Sequence, residues 1–319
     1  MARHTGWLLL ITWLFTCSAV FAESYSVEGV LPFKMGGRQL ILVQGSIGTL
    51  NKCNLVIDTG AYPTVIDRDV ARKLGLSGRT EELDAVDRTV SGMAVVLPKV
   101  EVGPIQTTRV RSLVQDLSDV SRRAGIRIDA LVGLNVLARS SFLIDYDAKK
   151  IFFGRLTPLP NTVPFHLANA RLCVDLQAGS RSVRMLVDTG VEKVMLLASH
   201  VPWIPRSDRA QAFTNLGGSF VLREVRLDEL QLGDTSLSSE PVYLSARNMP
   251  IYSFDGFLST IQFRQVAFDF EREQFGWVSR DERKDRVRVA SKPSGAPPYG
   301  HSFAGEIPTS KHSLVSGKE

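Results

Sequence analysis

The 319-residue sequence predicts a mainly β protein made of two similar lobes. Three observations predict it. The tripeptide Asp-Thr-Gly occurs twice, as Asp58-Thr59-Gly60 and Asp188-Thr189-Gly190, each directly after an apolar run, Leu55-Val56-Ile57 and Met185-Leu186-Val187. At average residue usage such a tripeptide arises about once in several thousand positions, so two with the same context point to duplication. Other features recur with nearly the same offset: Val102-Gly103 with Leu232-Gly233, and Phe142-Leu143-Ile144-Asp145-Tyr146 with Val266-Ala267-Phe268-Asp269-Phe270, followed by Phe153-Gly154 and Phe275-Gly276. Short strand-like runs dominate, and helical patterns are few.

In the first half, residues 39–43 read as a strand and 54–57 as a second that delivers Asp58. In the second half, residues 172–176 and 183–187 do the same for Asp188. Residues 67–74 form a short helix with an Asp at its N-cap and Gly75 at its exit, and residues 118–124 form another ending at Gly125. Three prolines within residues 158–164 make a stiff connector that continues neither a helix nor a central strand. The predicted organisation is a signal at 1–22, an N-terminal lobe at 23–156, a Pro-rich linker at 157–164, a C-terminal lobe at 165–279 and a disordered tail at 280–319, where charges give way to Ser, Pro and Gly. Asp145 and Asp269 recur between the halves but sit in alternating strands near turns, a structural placement.

The first 22 residues read as an export signal: a short polar start with Arg3 and His4, an apolar stretch from Trp7 to about Phe15, and Val20-Phe21-Ala22 as a cleavage site. The apolar stretch is short for a membrane span, which needs roughly 20 residues. The expected location is the periplasm or the medium of a bacterium, with an uncleaved N-terminal anchor as the alternative. Arg3 carries one of the chain's five net positive charges, and residues 280–319 hold eight Lys/Arg against five Asp/Glu, which leaves +1 for residues 23–279. That nearly neutral body has no concentrated basic face, which argues against a nucleic-acid partner. Cys53 and Cys173 read as buried free thiols, with a disulfide between them as the alternative.

A buried strand that runs into an Asp in a Gly-containing turn places a carboxylate at the edge of a core. Two such strands bring two carboxylates together, and such a pair shares one proton and activates water. The scattered histidines (His4, His166, His200, His301, His312) and two cysteines offer no metal-ligand spacing, and no Gly-x-Ser-x-Gly elbow is present. No metal or cofactor is expected.

The run Leu55-Val56-Ile57-Asp58-Thr59-Gly60-Ala61, followed by Thr64-Val65-Ile66 and later by Asp129-Ala130-Leu131-Val132-Gly133-Leu134-Asn135-Val136-Leu137, resembles the retropepsin-like and pepsin-like aspartic proteases. The resemblance covers residues 38–154 and, more weakly, 170–277. It implies two similar retropepsin-like β-barrel lobes forming a bilobal aspartic protease fold with a cleft between them, Asp58 and Asp188 as the catalytic pair, and Thr59, Gly60, Ala61, Thr189 and Gly190 as the supporting loops, the threonines bonding across the lobe interface. The substrate implied is a polypeptide, hydrolysed by a monomer whose second lobe stands in for a second subunit. Flaps over the substrate are also implied: Ser91-Gly92-Met93 is the candidate tip in the first lobe, and Gly217-Gly218 the candidate in the second. The second half departs from the pattern. Val191 stands where Ala is usual, and Ser259 in Asp255-Gly256-Phe257-Leu258-Ser259 stands where the first half has Gly133, which reads as a partly lost support. That departure keeps a second reading open, a protease-like fold that binds peptides without cleaving them.

Overall fold

The computed structural model describes residues 27–85, 88–205, 209–215, 218–237, 241–245 and 253–280. Residues 1–22, read from the sequence as an export signal, and the residues after Arg280, read as a disordered tail, lie outside these. All the described residues belong to one compact unit that ends at Arg280. Among them no helix is long and apolar enough to cross a membrane.

The chain begins with strands β1 (Val27–Pro32), β2 (Lys34–Gly36), β3 (Leu40–Ile47), β4 (Leu50–Ile57) and β5 (Thr64–Asp67), and then helix α1 (Arg68–Lys73). Strands β6 (Arg79–Ala85), β7 (Arg88–Val102) and β8 (Ile105–Gln115) lead to helix α2 (Ser118–Ala124), β9 (Ala130–Val132) and helix α3 (Leu134–Leu137). Then come β10 (Phe142–Asp145), β11 (Lys150–Gly154) and β12 (Asn161–Pro164). The second half runs through β13 (His166–Ala168), β14 (Arg171–Ala178), β15 (Arg181–Asp188), β16 (Val194–Leu196), β17 (Ala210–Asn215) and β18 (Gly218–Val225). It closes with β19 (Leu230–Leu232), β20 (Thr235–Ser236), β21 (Val242–Ser245), β22 (Gly256–Ser259), β23 (Phe263–Asp269) and β24 (Gln274–Ser279). The fold is mainly β.

Two of the three sheets share one strand order. The first reads β2-β3-β4-β9-β5-β8-β7-β6, and the second reads β13-β14-β15-β22-β16-β21-β18-β17, with β19 and β20 added at β14. The orientations match as well. β4 runs parallel to β9 as β15 does to β22, and β5 runs parallel to β8 as β16 does to β21. Strands paired in parallel inside a sheet are covered on both faces and so lose the polar alternation of a half-exposed strand. Leu55-Val56-Ile57 and Met185-Leu186-Val187 are continuous apolar runs for that reason, and all six are buried.

The third sheet joins the halves in the order β1-β11-β10-β23-β24-β12. Its centre is the antiparallel pair β10–β23, where Phe142 lies opposite Phe268 and the rings stack at 4.7 Å. Phe275 and Trp277 continue this aromatic layer, and the main hydrophobic cluster runs through both halves without a break. The segment read as a free Pro-rich linker is therefore partly strand. β12 pairs with β24 at the sheet's edge, where Pro164 costs no ladder bond because its outer side has no partner strand.

Helix α1 starts one residue after the Asp named from the sequence: Asp67 is the N-cap and accepts from the Asp69 N–H at 3.0 Å. The helix buries Val70 and Ala71 and gives way to Gly75 at φ +62. Asp67 also accepts from the Leu117 N–H at 3.2 Å. Asp67→Ala should cost about 1–2 kcal/mol and lower the melting midpoint by about 2–4 °C per kcal/mol, read by calorimetry. An unchanged midpoint would show that the cap contributes nothing.

Candidate active site

Strand β4 ends by delivering Asp58, whose N–H bonds the Val132 carbonyl of the parallel β9 at 3.0 Å. Strand β15 delivers Asp188, opposite Ser259 of the parallel β22. Beyond each Asp the chain turns on its Thr-Gly pair, and the two turns meet. Gly60 lies so close to Asp188 that a Cβ there would stand 2.3 Å from Oδ2, and a Cβ on Gly190 would stand 3.0 Å from Asp58 Oδ1. Only a residue without a side chain allows that approach.

The turns are locked by a reciprocal set of hydrogen bonds. The Thr59 N–H donates to Thr189 Oγ1 at 3.0 Å, and the Thr189 N–H donates to Thr59 Oγ1 at 3.0 Å. Each hydroxyl then donates across to the other half, Thr59 to the Val187 carbonyl and Thr189 to the Ile57 carbonyl, both at 2.8 Å. Both threonines are buried, so every donor and acceptor in the set would be unsatisfied if its partner moved.

The carboxylates lie within hydrogen-bonding reach of each other. Asp58 Oδ1 accepts from the N–H groups of Gly60 and Ala61, both at 3.1 Å, and Asp188 Oδ1 accepts from the Gly190 N–H at 2.6 Å. Burial pushes Asp58 up to about 6, against the pull of the Gly60 and Ala61 donors and a hydrogen bond from Asp188. Asp188 is likewise pushed well above the usual carboxylate range, first by burial and then by the neighbouring charge of Asp58. Asp188 is also the more enclosed of the two, with 6% of its surface exposed. The two carboxyls therefore titrate as one pair that keeps a proton where an isolated carboxylate has lost it.

The support behind each turn differs. In the first half, the Ala61 carbonyl accepts from the Leu134 N–H at 3.1 Å, and Gly133 passes so close that a Cβ would lie 2.4 Å from that carbonyl oxygen. Asn135 Oδ1 accepts from Thr64 N at 2.9 Å and Thr64 Oγ1 at 2.8 Å, while its amide donates to the Arg111 carbonyl. Asn135 has no stated role in the sequence reading. An amide inside an otherwise apolar run was the available signal. In the second half no helix follows β22, but the strand itself is present and parallel to β15, so the support taken from the sequence as partly lost is rebuilt. Ser259 Oγ donates to the Val191 carbonyl at 2.8 Å.

The flap candidates fall differently. Ser91, Gly92 and Met93 are not a hairpin tip. They lie in β7 opposite Glu82, Glu81 and Thr80, and the ladder runs on past them to Ala85 opposite Arg88; residues 86–87 lie outside the described residues. Gly92 is there because Leu113 Cγ and Gln115 Nε2 would lie 2.8 and 2.4 Å from a Cβ; close packing against β8, not a turn, explains the glycine. Gly218 opens β18 opposite Asn215, and Gly217 lies outside the described residues.

Cys53 and Cys173 are buried free thiols. Burial raises both, Cys173 up to about 12, so neither is a thiolate nucleophile near neutral pH. Asp145 and Asp269 cap turns: Asp145 accepts from the Ala148 N–H, and Asp269 from the N–H groups of Glu271 and Arg272.

A mainly β chain that holds two carboxyls within hydrogen-bonding reach, Asp188 buried and Asp58 half-buried, on interlocked Asp-Thr-Gly turns has the chemistry of an acid–base dyad. Residues 43–136 match the family described as Aspartyl protease, a stretch that includes Asp58, Thr59, Gly60, Ala61, Gly133 and Asn135. That family implies peptidase activity and a polypeptide substrate. No curated protein matches the chain.

Proposed function

We propose that this protein is an exported aspartic endopeptidase with one catalytic carboxyl from each of two duplicated lobes, Asp58 and Asp188. The observation that carries this reading is the meeting of the two carboxyls on crossed turns. The equal strand order of the two sheets supports the duplication, and with both carboxyls in one chain a monomer suffices.

In the reaction, ionised Asp58 takes a proton from a water molecule whose oxygen attacks the peptide carbonyl carbon. Asp188 gives its proton to the carbonyl oxygen as that oxygen gains charge. The tetrahedral intermediate then collapses: the C–N bond breaks, the amine leaves with the proton held by Asp58, and the carbonyl re-forms by returning a proton to Asp188. The products are a carboxylic acid and an amine, and the pair ends as it began. The crossed threonine bonds keep the two carboxyls from drifting apart during these transfers.

The active form carries one proton on the pair. Activity should rise as pH climbs through about 6, where Asp58 ionises, and fall at higher pH where Asp188 loses its proton. The kcat/KM profile of the mature chain on a denatured polypeptide, with cleavage sites read by mass spectrometry, tests this. Full activity at pH 3 would contradict it. The same assay on Asp58→Asn separates the binding-only reading, in which the wild-type chain binds peptide but forms no products. Amino-terminal sequencing of the protein recovered from culture medium or periplasm tests removal of residues 1–22, and full activity at high dilution tests the monomer.

A further inference from the structure

The two Asp turns are held by different chemistry, and the difference assigns a role to residues outside the Asp-Thr-Gly motifs. Three residues past each Asp stands a carbonyl that must be fixed if the turn is to keep its shape, Ala61 in one half and Val191 in the other. The Ala61 carbonyl is met by a main-chain donor, Leu134 N–H, which approaches because Gly133 has no side chain. The Val191 carbonyl is met by a side chain, Ser259 Oγ at 2.8 Å. Ser259 is itself buried and lies in register with Asp188.

What fixes Ser259 comes partly from the other half. Its own carbonyl accepts from Gln262 Nε2 at 2.8 Å. The next residue, Thr260, is buried, and its hydroxyl lies 2.6 Å from the hydroxyl of Tyr146. Tyr146 follows β10 in the first half, its N–H bonds the Arg264 carbonyl at 3.0 Å, and its ring packs edge-on against Phe33. Burial holds the phenol well above its ordinary value, so it stays neutral. The Asp58 charge acts on Asp188, and Tyr146 feels the charge of Asp188.

We propose that Ser259 is a positioning residue for Asp188, its hydroxyl replacing the glycine-and-helix support of the first half, and that the Tyr146–Thr260 hydroxyl pair anchors it across the halves. This rests on the dyad reading above. Ser259→Ala leaves the Val191 carbonyl without its donor and loosens the turn that holds Asp188 away from water. The carboxyl then ionises more easily. A misplacement of this size costs catalysis rather than substrate binding.

The test uses the mature chain. Ser259→Ala should lower kcat about 10- to 100-fold with KM within about twofold, and move the alkaline limb of the kcat/KM profile to lower pH. Tyr146→Phe should move the same limb in the same direction by less. The double variant should lose less than the product of the two single losses, because both act through one turn. Titration of the Asp carboxyl carbons by NMR reads the same upper step without substrate. A wild-type chain that titrates as a pair but releases no products overturns the peptidase reading and leaves the positioning role to the titration. Variants that keep the wild-type limb and carboxyl titration, whether or not they melt earlier, overturn the positioning role. Should Ser259→Ala fail to fold, Tyr146→Phe, which keeps the ring, decides alone.

Discussion

Asp58→Asn and Asp188→Asn should each lower kcat by about 10³- to 10⁴-fold on a polypeptide substrate while the chain stays folded. Neither carboxyl can perform both transfers. Asn at 58 accepts no proton from water, and Asn at 188 has no acidic proton to give. The effects should not multiply in the double variant, because the pair works as a unit. Stability should move the other way. Burial raises Asp58 from its ordinary 3.8 to about 6. A raised carboxyl contributes stability that is fully present below the ordinary value and is lost as pH climbs through the folded one. Wild type should therefore weaken between about pH 4 and pH 6 in denaturant titrations, and Asp58→Asn should show a shallower decline that keeps only the part due to Asp188, itself raised. Wild-type turnover in either single variant would end the dyad assignment.

The second large effect is expected at the crossed threonines. Thr59→Val keeps the shape but removes the donor to the Val187 carbonyl and the acceptor of the Thr189 N–H. Both groups are buried and each unsatisfied group costs about 1–3 kcal/mol, so the loss should be about 2–6 kcal/mol. Thr59→Ser retains the hydroxyl and should lose far less, chiefly the buried methyl. Chemical denaturation of the two variants side by side measures the difference. Equal stability of Val and Ser at position 59 would show that the crossed bonds hold nothing. Activity should fall with the Val variant as well, since the same bonds fix the distance between the two carboxyls.

Much of the first half was legible because its signals are local. Asp67 before an amphipathic turn and Gly75 after it mark helix α1, since an N-cap and a left-handed exit depend on neighbours in sequence. The runs before Asp58 and Asp188 read as strands because parallel central strands are apolar on both faces. Tips were less legible. Gly92 looked like a turn, yet its absent side chain makes room for Leu113 and Gln115 from β8, a contact made 21 and 23 residues away. The Pro-rich stretch read as a linker for a similar reason: proline excludes a central strand, but an edge position next to β24 is a property of the assembled sheet.

Ser259 shows the limit most clearly. As a letter in place of glycine it reads as erosion; as an atom 2.8 Å from the Val191 carbonyl it is a donor. By itself the sequence determined the mainly β class, the repeated Asp-Thr-Gly turns and the apolar strands that lead into them, because each follows from residue type and short-range periodicity. Tertiary structure alone decided that the two carboxyls meet, how the threonines interlock and what stands behind Asp188. Those outcomes depend on burial and on hydrogen-bond distances between residues more than 60 positions apart, which no local pattern encodes.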